Sequence, residues 1–285
     1  MKIHNTIPDF LSIYHFSEKP TLSDLEKYYE KHQEIFKEYF TFHCPKTPDR
    51  LNLAIEKYPE KLEDIQLISQ TLPTIIEEVF ANYINYFGVE LDLTFNLLVG
   101  GFGSNAFVER KIIGDIYFAL EKLSYNLDHL RVIVAHEIGH VYHTALSDSK
   151  GIGWKAINWE NGLISLYMEG VATYLSQKIV TGLEESIYYS YENEGQPWLD
   201  FYQNNTEKVK EKFLHDVKSN WQFDNEKEWF RLSGGNSFGF NRLGYFLGTS
   251  FVHNLVQKVG EQNAITYWCS NDLNKCVMDW LEGTQ

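Results

Sequence analysis

Cysteine is scarce in this chain. Its 285 residues include three, Cys44, Cys269 and Cys276. That is too few for a disulfide framework, and the last two are too widely spaced for CxxC chemistry. Reduced, buried thiols are expected. Positive charge is also short: 25 Lys and Arg stand against 39 Asp and Glu, a formal charge of −14. Such a surface repels phosphate backbones and anionic lipid, which argues against nucleic acid and membrane surfaces as partners. No run approaches the roughly 18 apolar residues that a spanning helix needs. The first ten residues, MKIHNTIPDF, show no basic segment leading into an apolar one, so a cytoplasmic location is expected. Repeats and low-complexity tracts are missing, and only seven prolines punctuate the sequence. What the chain has in quantity is apolar and aromatic content, 44% and 15%, which excludes disorder and suffices for a sizeable core.

The patterning predicts an α+β protein in which a small sheet is embedded in a mostly helical chain. Residues 1–87 read as a helical N-terminal region. Thr21-Leu-Ser-Asp24 has the form of a capping box ahead of an amphipathic run through Phe40. Pro45, Pro48, Pro59 and Pro73 mark breaks or first helical turns. Residues 88–182 read as a sheet followed by two helices. Strands are expected over Leu91–Val99 and Ile112–Leu120, with the glycine-bearing stretch Gly100–Phe107 between them as a turn or bulged edge where another backbone can approach. Asp128 is positioned to cap a helix running to about Leu146. A polar loop from Ser147 to about Gly162 follows, then helical periodicity up to Gly182. Residues 183–285 alternate amphipathic helical stretches with a Gly-rich break at Ser233–Gly239. Nothing in this pattern forces independent domains, so residues 1–285 are expected to form a single unit.

The chemistry concentrates in His136-Glu137-Ile138-Gly139-His140, an HExxH sequence on a predicted helix. A spacing of four puts both imidazoles on one helix face, where both can reach one Zn²⁺. Glu137 is rotated by about 100° from His136. From there its carboxylate can take a proton from an attacking water and pass it to a leaving amine. A catalytic zinc site has three protein ligands and one open position. Two glutamates compete for the third place: Glu160 in the predicted loop NWENG, and Glu169 in MEGVATYL on the next helix. A helix positions a ligand more rigidly than a glycine-flanked loop, and Gly170 lets that helix pack closely on a neighbour. His143, three residues after His140, reads as a non-ligand in the surroundings of the site or on the surface.

HEIGH followed by EGVA resembles the gluzincin clan of zinc peptidases, whose aminopeptidase-N-type members take a glutamate ligand from a helix bearing E-G-x-A. The resemblance implies a zincin-like fold. It assigns one Zn²⁺ per chain to His136, His140 and Glu169, and the role of general base to Glu137. Glu160, by contrast, falls at the thermolysin-like spacing. Gluzincins also place a Tyr or His downstream to stabilise the oxyanion. Here Tyr245, in NRLGYFLG with glycines at 244 and 248 for close helix packing, is the candidate. Similar segments occur in uncharacterised families of predicted zinc-dependent proteases. Arg242 and His253 are further candidates for anchoring substrate. The G-x-M-E-N segment that captures a free amino terminus in aminopeptidase-N-type enzymes is missing, and Glu109, the nearest carboxylate, sits in no comparable motif. The expected activity is therefore hydrolysis of a peptide or protein substrate by a zinc metallopeptidase of unspecified cleavage position. A scaffold that had lost catalysis would lack a ligand or the base, and both are present.

Overall fold

The computed structural model describes residues 1–16, 20–192, 195–269 and 272–284. The protein is α+β and mostly helical, and the chain divides into two compact units, Met1–Glu137 and Ile138–Gln285. Among the described residues, no helix is long and apolar enough to cross a membrane.

The first unit opens with β1 (Lys2–Asn5), then α1 (Ile7–Phe16), α2 (Leu22–Lys31), α3 (Gln33–Glu38), α4 (Pro48–Lys57) and α5 (Leu62–Phe87). The capping box at Thr21 and Asp24 forms as the sequence predicts, and Pro48 occupies the first turn of α4. Pro73 departs from expectation, lying inside α5. Both Pro73 and Ser69, whose carbonyl the missing N–H leaves over, are only half-buried. Eight buried side chains, from Ile65 to Tyr83, carry the helix through on its other face. After Gly88, in the left-handed region at φ 67°, come β2 (Thr94–Leu98), β3 (Ala106–Val108) and β4 (Ile116–Ala119).

The sheet order is β1-β2-β4-β3, with β3 antiparallel on the edge and the other neighbours parallel. Ile3 pairs with Phe95, Leu97 with Phe118, and Phe107 with Tyr117. Both expected strands are present but shorter. Ile112 and Ile113 belong to an exposed turn before β4, while β1 and β3 are additional strands. The glycine stretch does admit a close neighbour, and that neighbour is the chain itself. A Cβ on Gly103 would lie 2.3 Å from the His43 carbonyl oxygen and 2.6 Å from the Cys44 Cβ. Of this stretch, Ala106 and Phe107 belong to β3, which with β1 is one of the sheet's two edge strands.

The division between the units falls inside α6 (Leu127–Ser149). Its capping group is Asn126, whose Oδ1 accepts from the Asp128 amide at 2.9 Å, in place of the expected Asp128. From Val132 to Gly139 every residue is buried, as a core helix requires. In the second unit α7 (Gly162–Ile179) starts at Asn161, whose side chain accepts from the Leu163 amide at 2.9 Å. Then come α8 (Ile187–Ser190), α9 (Gln196–Lys218), α10 (Phe223–Phe230), α11 (Leu243–Val259), α12 (Glu261–Ile265) and α13 (Leu273–Leu281). The Gly-rich break separates α10 from α11, where Glu228 accepts from the amides of Gly235, Asn236 and Ser237.

Candidate metal centre

Helix α6 is held in place immediately before its motif. The Tyr83 hydroxyl, from α5, donates to the Ala135 carbonyl at 2.7 Å in a buried position. Arg131 grips Glu78 at 3.0 and 3.3 Å. These contacts pin the turn that leads into His136, which is 2% exposed, and Glu137, which is 7% exposed.

Glu169 is positioned by a different device. Helices α7 and α11 meet backbone to backbone at Gly170 and Gly248. A Cβ on Gly170 would lie 2.4 Å from the Gly248 carbonyl, and one on Gly248 would lie 2.3 Å from the Leu166 carbonyl oxygen. No residue larger than glycine fits either place without moving a helix. The expectation that Gly170 and Gly248 serve close packing is met, and they are each other's partners.

One nitrogen each from His136 and His140 and one oxygen from Glu169 lie within 4.8 Å of one another. Among the described residues this is the group of three or more His, Cys, Asp or Glu side chains able to hold an ion. Within it His140 Nε2 and Glu169 Oε2 are 3.6 Å apart. Two ligands about 2.0–2.2 Å from a tetrahedral zinc stand about 3.3–3.5 Å from each other, so the spacing fits two donors on one ion. Two imidazoles and one carboxylate are also the donor set of a catalytic rather than a structural site. Glu160 is exposed in the loop before α7 and does not belong to the cluster.

The remaining candidates separate clearly. His143 is fully buried and faces away from the surface. Its ring stacks on Trp268 at 4.1 Å and meets Tyr167 edge-on at 5.1 Å. Burial, with a smaller contribution from His140, holds its pKa well below the usual histidine range, so it is a neutral aromatic wedge behind the helix. Tyr245 is partly exposed on α11, one turn before Gly248, which places it near the stretch of α7 that bears Glu169. Arg242 is buried and lies beneath the Tyr245 ring, its guanidinium carbon 5.6 Å from the ring centre. His253 is paired with Gln177 of α7 at 3.1 Å. Glu109 pairs with Lys111 at 2.7 Å.

Sequence reasoning missed Glu226 of α10. It accepts from Ser165 at 3.0 Å, and Ser165 is one turn before Glu169 on α7. Burial, outweighing the Ser165 hydrogen bond and reinforced by the charge of Glu169, raises its pKa. Nothing in the local sequence FDNEKEWF separates this glutamate from a solvated one, because the helix bringing it here is distant in the chain.

No curated protein and no solved structure gives a significant match to the chain. One family model does, over residues 15–272, and its description, "Putative zinc dependent peptidase (DUF5700)", agrees with the His-His-Glu cluster. That match spans most of the sequence, and the chain belongs to this family.

Proposed function

We propose that the chain is a gluzincin-type, zincin-like zinc metallopeptidase. His136, His140 and Glu169 hold one Zn²⁺, Glu137 is the general base, and Tyr245 stabilises the oxyanion. The observation that carries this reading is the convergence of the two HExxH histidines and the EGVA glutamate on one point. Bound zinc would supply Lewis acidity, polarising the scissile carbonyl and making water nucleophilic near neutral pH.

The chain's own residues supply the rest. Glu137 takes the proton of the attacking water and returns it to the leaving amine, so that the product leaves as a neutral amine. Its near-complete burial keeps bulk water from competing for that proton. The Tyr245 hydroxyl donates to the carbonyl oxygen as negative charge gathers there.

The test is Glu137→Gln, which keeps the shape and removes the base. Zinc content should stay at the wild-type level, while hydrolysis of a fluorescently labelled, end-blocked casein falls at least about 100-fold. Undiminished hydrolysis by this variant would overturn the mechanism.

A further inference from the structure

Arg242 stands in an environment that costs stability. It is 4% exposed, and among the described residues it has no carboxylate partner. Nη2 donates to the Ser190 carbonyl at 3.1 Å, and Nε is buried with no acceptor among the described residues. The guanidinium is otherwise walled by aromatic faces: Tyr191 at 5.2 Å, Trp198 at 5.3 Å and Tyr245 at 5.6 Å. Three rings soften the loss of hydration but do not replace a counter-anion. The backbone is strained as well. Arg242 adopts φ 54°, in the left-handed region that non-glycine residues avoid.

Two independent costs at one residue mark a place whose structure is set by something other than stability. Arg242 is also the N-cap of the 17-residue α11, without a side-chain cap, so the backbone that carries the guanidinium stands at the positive end of that helix. A planar fork with unspent donors, at a helix N-terminus and roofed by the partly exposed Tyr245, is built to receive a planar anion.

We propose that Arg242 is the anchor for a carboxylate carried by the peptide substrate, seated between Tyr191, Trp198 and Tyr245 at the start of α11. The proposal rests on the peptidase reading and deepens it by naming a substrate class. It also runs against the net charge of −14, which by itself favours basic or neutral peptides. A buried cation is the local exception that lets an acidic chain accept an anionic end. Tyr245 then touches both partners, donating to the scissile carbonyl from its hydroxyl while its ring covers the anchor. Coupling of that kind makes cleavage depend on where the carboxylate lies.

The test uses three short peptides of one sequence: the free acid, the C-terminal amide, and the amide with Asp as its last residue. Binding to zinc-loaded Glu137→Gln protein is followed by calorimetry, which needs no turnover. The free acid or the Asp amide should bind at least about 10-fold more tightly than the plain amide, as charge-assisted pairing implies. Adding Arg242→Gln should bring that ratio close to one, with Arg242→Lys retaining part of it. Preference for the acid alone would place the anchor on the chain terminus, and equal preference for both carboxylates would extend it to an acidic side chain. Indistinguishable binding of all three peptides, no binding of any, or a preference that survives Arg242→Gln would overturn the proposal. The comparison in the protein with Arg242 intact stands even if the substituted forms fold poorly. Cleavage of unblocked casein, which offers both a free C-terminus and acidic side chains, tests the peptidase reading by itself: cleavage by the wild type that is lost in Glu137→Gln, together with indistinguishable binding of the three peptides, separates failure of this proposal from failure of that reading.

Discussion

At the scale of single residues, the most consequential group away from the metal centre is Glu121. It is 2% exposed. Its Oε1 accepts from the Phe102 amide at 3.1 Å, which fastens the glycine stretch, while Oε2 is buried without a partner among the described residues. Burial pushes its pKa up to about 7, against backbone hydrogen bonds from Gly100 and Phe102 and the charge of Lys122, which lower it. The hydroxyls of Tyr28, Tyr29, Tyr39 and Tyr58 feel its charge, and their own pKa values are raised mainly by burial. Because the folded value lies above the unfolded one, the folded state binds more protons between about pH 4.5 and 7. The contribution of Glu121 is therefore fully present below about pH 4.5 and is lost as pH rises to 7, a change on the order of 3 kcal/mol. Glu121→Gln should flatten that part of the stability-against-pH profile and raise the melting temperature at pH 8. Thermal unfolding of both proteins from pH 5 to 8 checks this, and parallel profiles would show that the carboxyl does not titrate in that range. No sequence pattern marks this residue. In ALEKLS a glutamate beside a lysine reads as solvated, and only the fold buries it under the glycine stretch.

Among elements, the junction of α7 and α11 determines where Glu169 sits. Gly248→Ala would place a methyl group 2.3 Å from the Leu166 carbonyl and 3.0 Å from the Gly170 nitrogen, forcing the helices apart. The gain in helix propensity, about 1 kcal/mol, does not offset that overpacking, and a net loss of about 2 kcal/mol is expected in urea unfolding. Gly153→Ala, which meets nothing within 4 Å and needs no left-handed backbone, is the control and should be close to neutral. Equal stability of the two variants would show that the helices do not touch there. This junction was legible in advance, because Gly170 and Gly248 occur where the periodicity calls for larger side chains, whereas Gly244 makes room for the Phe230 ring of α10. The HExxH helix was legible for the same reason, its spacing being intrinsic to one element. The sheet was read only in part. The strand β1, four residues with the sequence KIHN, acquires its identity from pairing with β2 some ninety residues away. The strand β3 has three residues and owes its place to β4. Conversely Ile112 and Ile113 look like strand residues but form an exposed turn, since nothing local says where pairing stops.

For the molecule as a whole, the metal centre should be visible as stability. Its proposed ligands are residues 136 and 140 of α6 and residue 169 of α7, and an unfolded chain does not hold them together. An ion that binds the folded chain and not the unfolded one stabilises it by RT ln(1 + [L]/Kd), about 2.7 kcal/mol at one hundred times Kd. For a chain of this size that corresponds to a rise of about 4–5 °C in melting temperature. Zinc added to chelator-treated wild type should produce this rise, with one ion retained per chain by elemental analysis. Glu169→Ala should lose both, while Glu160→Ala, whose side chain is exposed outside the cluster, should behave as wild type. The opposite result, with the response lost only in Glu160→Ala, would move the third ligand into the loop before α7. A wild type that neither binds zinc nor melts higher in its presence would remove the catalyst on which the roles proposed for Glu137 and Tyr245 depend. The measurement is decisive because it reads the three ligands together, through the folding equilibrium and not through turnover, before any substrate has been found.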